Sequence, residues 1–297
     1  MIDFFTRTSS LYIVTVLIWG STFYAIKLQI GIVAIEVSLI YRFLAASLIL
    51  FAFCLLKKRT LRFSAGEHFF IFLQGVFLFS VNYLIVYWAA DILTSGIIAL
   101  IFSTVILMNI VNGAIFMRQS VSRRVVIGAL IGIAGIAAVF WSEIAGLENN
   151  ESTWLGLFLI LAATYSASLG NILSARNQKY KLPVVQTNAY GMAYGVLLMA
   201  IYAIARGTPL NYDFSTSYTL SLLYLSLFGS VFAFGSYLTL VGRIGANRSA
   251  YSAVLYPVVA LSISTVLEDY RWTLAAICGF GLVLLGNLLV LKTPAKS

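Results

Sequence analysis

Apolar residues run along this chain in long blocks, with short polar stretches between them. A helix needs about 20 apolar residues to cross a bilayer's hydrocarbon core. Ten blocks approach or reach that length: 11–28, 33–56, 68–90, 92–116, 124–141, 154–175, 184–205, 217–241, 247–267 and 273–291. The joining stretches are too short to hold a soluble domain. The pattern predicts an all-α integral membrane protein of ten transmembrane helices.

Composition strengthens this picture, since 61% of residues are hydrophobic and 10% charged, against about 25% charged in soluble domains. Asp3 and Arg7 precede an apolar run that starts at Leu11. No small-residue cleavage site follows it, so it reads as a retained first span. The net charge of +9 is a topology signal rather than a nucleic-acid surface. With the N-terminus inside, Arg7, Lys57, Lys58, Arg59, Arg62, Arg118, Arg123, Arg124, Arg176, Lys179, Lys181, Arg243, Arg248, Lys292 and Lys296 fall on the cytoplasmic side, fifteen of the nineteen basic residues. Only Arg206 and Arg271 fall outside, Lys27 and Arg42 lie within spans, and Glu143, Glu148 and Glu151 crowd one outer loop. This is the positive-inside asymmetry, and it puts both termini in the cytoplasm. Cys54 and Cys278 both sit in apolar spans and read as buried thiols, with no disulfide framework or metal spacing.

The chain also repeats itself weakly. A shift of 151 residues lays Gly128 on Gly279 and Gly135 on Gly286. A slightly shorter one sets Trp19-Gly20-Ser21 against Tyr165-Ser166-Ala167. Residues 1–151 and 152–297 then hold five spans each, an odd number, so the second half enters the membrane inverted. Inverted repeats characterise secondary transporters, with the substrate site between the halves near the midplane.

Several stretches carry a resemblance. "LIWGSTFYAIK" (17–27), "YRFLAASLIL" (41–50), the "TSGIIALI" that enters span four and the "YPVVALSISTVLED" that closes span nine resemble the EamA family of the drug/metabolite transporter superfamily. The resemblance covers essentially the whole chain. It implies a ten-helix inverted-repeat transporter of the inner membrane, commonly exporting amino acids or other small metabolites. It also implies a central cavity lined by spans one, three, four, six, eight and nine. Two departures stand out: Ile106 occurs about where span nine has Pro257, and Met117-Arg118 where it ends in Glu268-Asp269. The first half is therefore expected to lack one kink and one end contact.

Polar residues inside spans are the candidate site. Arg42, halfway along span two, is the costliest, since insertion scales charge at least about 2.5–3.5 kcal/mol for it. It either ties helices together through carbonyls or anchors an anionic substrate group. Lys27 either snorkels to the outer interface or serves a gate, with Glu36 as its expected partner. Thr15, Trp19 and Thr22 share one face of span one, and Gly20 beside them allows a close backbone approach. Similar stripes are Tyr83 and Tyr87; Phe102, Asn109 and Asn112; Thr164, Ser168 and Asn171; and Ser249, Ser252 and Tyr256 beside Pro257. Tyr224 and Tyr237 bracket span eight. Any one of these is equally an interhelical tie worth about 0.6 kcal/mol. The candidate substrate-binding set is Trp19, Thr22, Arg42, Tyr83, Tyr87, Phe102, Asn109, Tyr165, Ser168, Asn171, Tyr237, Ser252 and Tyr256. Lys27, Glu36, Pro257 and Gly20 are gating or structural candidates. The glycines at 128, 132 and 135, at 279 and 286, and at 191 and 195 form close-packing seams that suit a protomer or a homodimer.

No Asp or Glu lies deep in any span, and His68 is at the cytoplasmic end of span three, so a midplane proton relay has no clear candidate. There is no phosphate loop, metal cluster or nucleophile–base pair, hence no expected cofactor or catalytic residue. The expected partners are a small-molecule substrate and the lipid bilayer. An amino-acid exporter or exchanger, aromatic or large neutral residues favoured, is the first reading. Broad efflux of lipophilic compounds is the second, and a membrane enzyme or scaffold without transport the last.

Overall fold

The computed structural model describes residues 8–118, 123–146, 151–244, 249 and 252–291. Asp3, Arg7, Glu148, Arg248, Lys292 and Lys296 of the charge pattern lie outside the described residues. Among the described residues the helical rods, in chain order, are α1 (Thr8–Lys27), α2 (Ile35–Leu56), α3 (Ala65–Ala90), α4 (Ser95–Met117), α5 (Arg123–Gly146), α6 (Glu151–Lys179), α7 (Val184–Ala205), α8 (Thr216–Ile244), α9 (Ser252–Leu267) and α10 (Leu274–Leu291). Among the described residues there is no strand. Seven rods, α1–α4 and α6–α8, are long and apolar enough to cross a membrane, and shorter apolar runs occupy Val126–Ala138, Ser252–Leu267 and Leu274–Gly286. The protein is an all-helical, multi-pass membrane protein.

The helices are interrupted where they approach the centre of the bundle. Helix α3 widens into a π-helical stretch at Gly75–Val81, and α8 does the same at Leu225–Phe232. Helix α4 breaks at Ser103-Thr104, whose hydroxyls bond back to the carbonyls of Leu100 (2.6 Å) and Ile101 (2.7 Å). Such back-bonding bends helices. The missing proline at Ile106 therefore does not leave α4 straight, and the break falls less than one turn earlier, on the hydroxyls of Ser103 and Thr104. Its counterpart α9 carries Pro257 inside the helix.

Packing crosses between the two halves of the chain. The extensive pairs are α5 with α10, α2 with α7, α1 with α8 and α9, α3 with α6 and α7, α4 with α6 and α9, and α2 with α8. Exchanging each helix for the one five places along returns the same set. The glycine seams allow backbones to meet directly. A Cβ on Gly135 would lie 2.6 Å from the Gly279 oxygen, and one on Gly286 2.5 Å from the Gly128 oxygen. The seams of α5 and α10 thus face each other within one protomer. Gly191 and Gly195 pack on Phe79 in the π segment of α3.

Two ends are distinguishable. One gathers the α1–α2, α3–α4, α7–α8 and α9–α10 connections, where Asn211 donates to the Ile32 carbonyl (3.1 Å) and Lys27 to the Leu93 carbonyl (3.1 Å). The other gathers the α2–α3 and α6–α7 connections, where Tyr190 donates to the Leu61 carbonyl (2.9 Å) and Tyr194 meets His68 Nδ1 (2.9 Å). Lys57, Lys58, Arg59, Arg62, Arg176, Lys179 and Lys181 sit at this second, basic end. One expectation fails on the periphery. Cys54 is buried, but Cys278 is exposed on α10, because an apolar helix facing lipid has an outward side as greasy as its inward one.

Candidate functional site

The central cavity lies where the interrupted helices meet. Its walls come from α1, α3, α4, α6, α8 and α9, through Trp19, Thr22, Phe23, Ile26, Leu78, Asn82, Tyr83, Val86, Phe102, Val105, Ala167, Asn171, Phe234, Tyr237, Ala253 and Tyr256. It is a slit of about 580 Å³ of empty volume, lined mostly by aromatic and aliphatic side chains.

Trp19 organises one wall. Its Nε1 donates to the Gly229 carbonyl (3.1 Å), and its ring lies 4.8 Å from Phe234, 4.9 Å from Tyr237 and 5.8 Å from Tyr256, centroid to centroid. Gly20, the next residue, turns to α9, where an added Cβ would lie 2.6 Å from Val259 Cβ. The run at 17–27 thus serves both purposes, with Gly20 seating α1 on α9 while Trp19, Thr22, Phe23 and Ile26 face the slit. Tyr256 is held by a 2.8 Å hydrogen bond with Ser252.

Arg42 is fully buried behind this slit. Its Nε donates to Ser230 Oγ (3.0 Å) in the π segment of α8, and its Nη1 to Tyr87 Oη (3.4 Å). The guanidinium carbon stands 4.4 Å from the centroid of Tyr83 and 5.1 Å from that of Phe43, cation–π distances. Tyr87 in turn donates to Gln29 Oε1 (3.1 Å). Arg42 Nη2 has no partner. A Cβ on Gly229 would lie 3.3 Å from that Nη2 and 3.0 Å from Thr22 Cγ2, so the unpaired nitrogen stands just behind the wall made by Thr22. No carboxylate pairs with this cation among the described residues.

At the end opposite the basic one, Lys27 Nζ meets Glu268 Oε1 at 3.1 Å. Glu268 also accepts from the Ser95 backbone N–H (3.1 Å) and from the Ser95 hydroxyl. Burial pushes the Glu268 carboxyl up, but the hydrogen bonds from Ser95 and the charge of Lys27 outweigh it and hold it below its ordinary value. The expected Lys27–Glu36 pair does not form. Glu36 lies in the first turn of α2 and accepts from Thr208 Oγ1 (2.8 Å), while Lys27, in the last turn of α1, reaches across to the α3–α4 junction and the end of α9.

Of the sequence candidates, Trp19, Thr22, Tyr83, Phe102, Asn171, Tyr237 and Tyr256 line the slit. Arg42 and Tyr87 stand one layer behind, and Asn109 is fully buried beside Tyr237. Ser168 accepts from Asn112 Nδ2 (2.8 Å), a tie between α6 and α4, and Ser252 positions Tyr256. Tyr165 is 46% exposed on the outside of α6. One residue of helix turns about 100°, so Tyr165 points away from the face that Thr164 and Ser168 share. Asn82 and Phe234 line the slit and were not among the candidates. Asn82 follows the π stretch of α3, which shifts the helix register, and Phe234 sits in a phenylalanine-rich run with Phe228 and Phe232.

The sequence profile of the EamA-like transporter family matches residues 7–141 and again 154–292. The chain belongs to the EamA-like transporter family. YedA of Escherichia coli K12, described as an uncharacterised inner membrane transporter, is 30% identical over the whole of this chain and 94% of its own length. Protein PagO of Salmonella typhimurium is 23% identical over 88% of this chain and 84% of its own. A crystal structure with 16% identity covers 95% of both chains with a TM-score of 0.69, a likeness of fold. Each half of this EamA-like transporter is thus one match to the profile, and the slit is built from both.

Proposed function

We propose that this EamA-like protein is a secondary transporter of the cell's inner membrane, an exporter or exchanger of amino acids that works by alternating access. Aromatic or large neutral amino acids are the favoured substrates. The observation that carries this reading is the unpaired Arg42 Nη2 behind a slit of aromatic rings. A guanidinium matches a carboxylate in shape and charge, and a slit between rings suits a planar side chain. Asn82, whose Oδ1 has no partner, and Asn171 supply polar contacts on the facing wall for an ammonium group. In the proposed mechanism the carboxylate enters past Thr22 and displaces the ring of Tyr83 from the guanidinium.

The ten rods form two inverted five-helix repeats, 1–151 and 152–297, with both termini cytoplasmic. The packing set that survives exchange of the halves supports this, as do the π segments 150 residues apart at their starts. In this reading the Lys27–Glu268–Ser95 contact is the outer gate, closed in the state described.

Counterflow in proteoliposomes loaded with unlabelled amino acids tests the reading. Saturable, competed uptake of a labelled aromatic or large neutral amino acid is expected. Arg42→Gln should lower kcat/KM by about 10- to 100-fold, as loss of a hydrogen bond to a charged group worth about 1.5–3 kcal/mol requires. Unchanged transport in correctly inserted Arg42→Gln protein removes the anchor and the substrate class with it. The many aromatic and aliphatic side chains of the slit favour one further reading, efflux of lipophilic compounds. There, expression confers resistance to several unrelated drugs, Trp19→Ala abolishes it, and Arg42→Gln leaves it intact.

A further inference from the structure

A second, larger hollow lies on the outside of the bundle at the basic end. It forms over α6 between the start of α3 and the end of α4, with about 1340 Å³ of empty volume. Its floor and walls are apolar, from Phe77, Phe116, Leu169 and Leu173 among others. At its mouth are three cations, Arg118, Arg176 and Lys179. Helix α4 stops here on Arg118, which takes a left-handed conformation (φ 54°), and α6 stops on Lys179.

Arg176 is built in rather than waving in solvent. Its guanidinium carbon lies 3.2 Å from the centroid of Phe70 and 4.4 Å from that of Tyr180, and its Nη1 donates to Asn177 Oδ1 (3.2 Å). This fixes the planar cation at the edge of the hollow and leaves N–H groups for an anion. The nearby acid, Glu67, is engaged elsewhere. Its carboxylate accepts from the Ser64 backbone N–H (2.6 Å) and hydroxyl (2.9 Å) in a capping box. Among the described residues none of the three cations is in an ion pair.

We infer that this hollow holds an anionic phospholipid of the surrounding bilayer, its phosphate among Arg118, Arg176 and Lys179 and an acyl chain along the wall toward Phe77. The charge asks for an anion, and the apolar wall below the cations asks for a hydrocarbon chain attached to it. Arg118 and Lys179 lie at the ends of α4 and α6, the level of a lipid headgroup. Basic pockets between membrane helices bind anionic headgroups in this way. A soluble phosphate satisfies the cations but leaves the apolar wall empty.

The full chain, purified in detergent, is unfolded by heat while phosphatidylglycerol, phosphatidylcholine of the same chain length, or inorganic phosphate is titrated in. A ligand that binds only the folded state raises the unfolding temperature saturably. Phosphatidylglycerol is expected to raise it more than phosphatidylcholine, and phosphate to leave it unmoved. Arg118→Gln/Lys179→Gln, two exposed positions, should remove at least half of that excess. Lys57→Gln/Arg62→Gln, exposed cations of the same end outside the hollow, should preserve it. Equal shifts with the two lipids overturn the assignment. So does an excess untouched in the first variant, or lost equally in the second. A full shift with phosphate alone replaces the lipid by a soluble anion.

Discussion

At one end of the bundle the close is ionic. Lys27 from α1, Glu268 after α9 and Ser95 at the start of α4 meet around one carboxylate, whose side chain is 8% exposed. At the basic end the close is neutral. Gln74 on α3 donates to Asn188 Oδ1 on α7 (3.2 Å) and accepts from Asn177 Nδ2 on α6 (3.0 Å), all three fully or nearly buried. The ionic contact concentrates its strength in one group that protons can switch. The amide contact spreads over three helices and has no group that titrates near neutral pH. One end is therefore conditional, the other constitutive.

The hardest way to break this contrast is Glu268→Ala, which leaves the Lys27 ammonium part-buried against the Leu93 carbonyl. Breaking a buried pair costs about 3–5 kcal/mol, and Lys27 is 30% exposed, so a loss of about 2 kcal/mol is expected in detergent unfolding. Spin labels at Leu28 and Trp272 should separate at the same time, while a pair at Lys57 and Tyr180 stays fixed. Next in size is Asn177→Ala. It strands Gln74 Oε1 and should cost about 1–2 kcal/mol, with the two label pairs exchanging their behaviour.

Acid should then sharpen the comparison. The folded Glu268 carboxyl titrates below its ordinary value of 4.5, so its contribution is present above that pH. The contribution is lost as pH falls through the lowered value. The Leu28–Trp272 distance should hold down to pH 4.5 and lengthen only as pH falls further, through the lowered value, and this dependence should vanish in Glu268→Gln. The smallest effect belongs to Thr208→Val. It removes one hydrogen bond to Glu36 and should cost about 0.5–1.5 kcal/mol, without opening the end that Lys27 closes.

Much of the bundle could be read along the chain. Every helix falls within a few residues of an apolar block, because a span must satisfy its own backbone in lipid and so must be continuous and apolar. The slit-lining helices were also foreseeable, since the resemblance implied a cavity lined by α1, α3, α4, α6, α8 and α9, and polar stripes occur on the same helices. Membership of the stripe was less secure. Tyr165 fails by a single residue of helical turn, and Ser168 and Ser252 are spent on neighbours. Asn82 and Phe234 could not be chosen, because π turns and runs of identical aromatics blur which side faces inward.

The sequence by itself determined that this chain is helical and membrane-spanning, since hydrophobic length and the spacing of charge are linear properties. Arg42 announced itself, since one cation in hydrocarbon is costly wherever the chain goes. Only the tertiary structure decided its partners, Ser230 and Tyr87, from 188 and 45 residues away. The same holds for Lys27, which chose Glu268 rather than the acid closer in sequence. Ion pairs and ring contacts form between whatever side chains helix packing brings within a few ångströms, and in a bundle whose halves interlock, sequence distance carries no information about that.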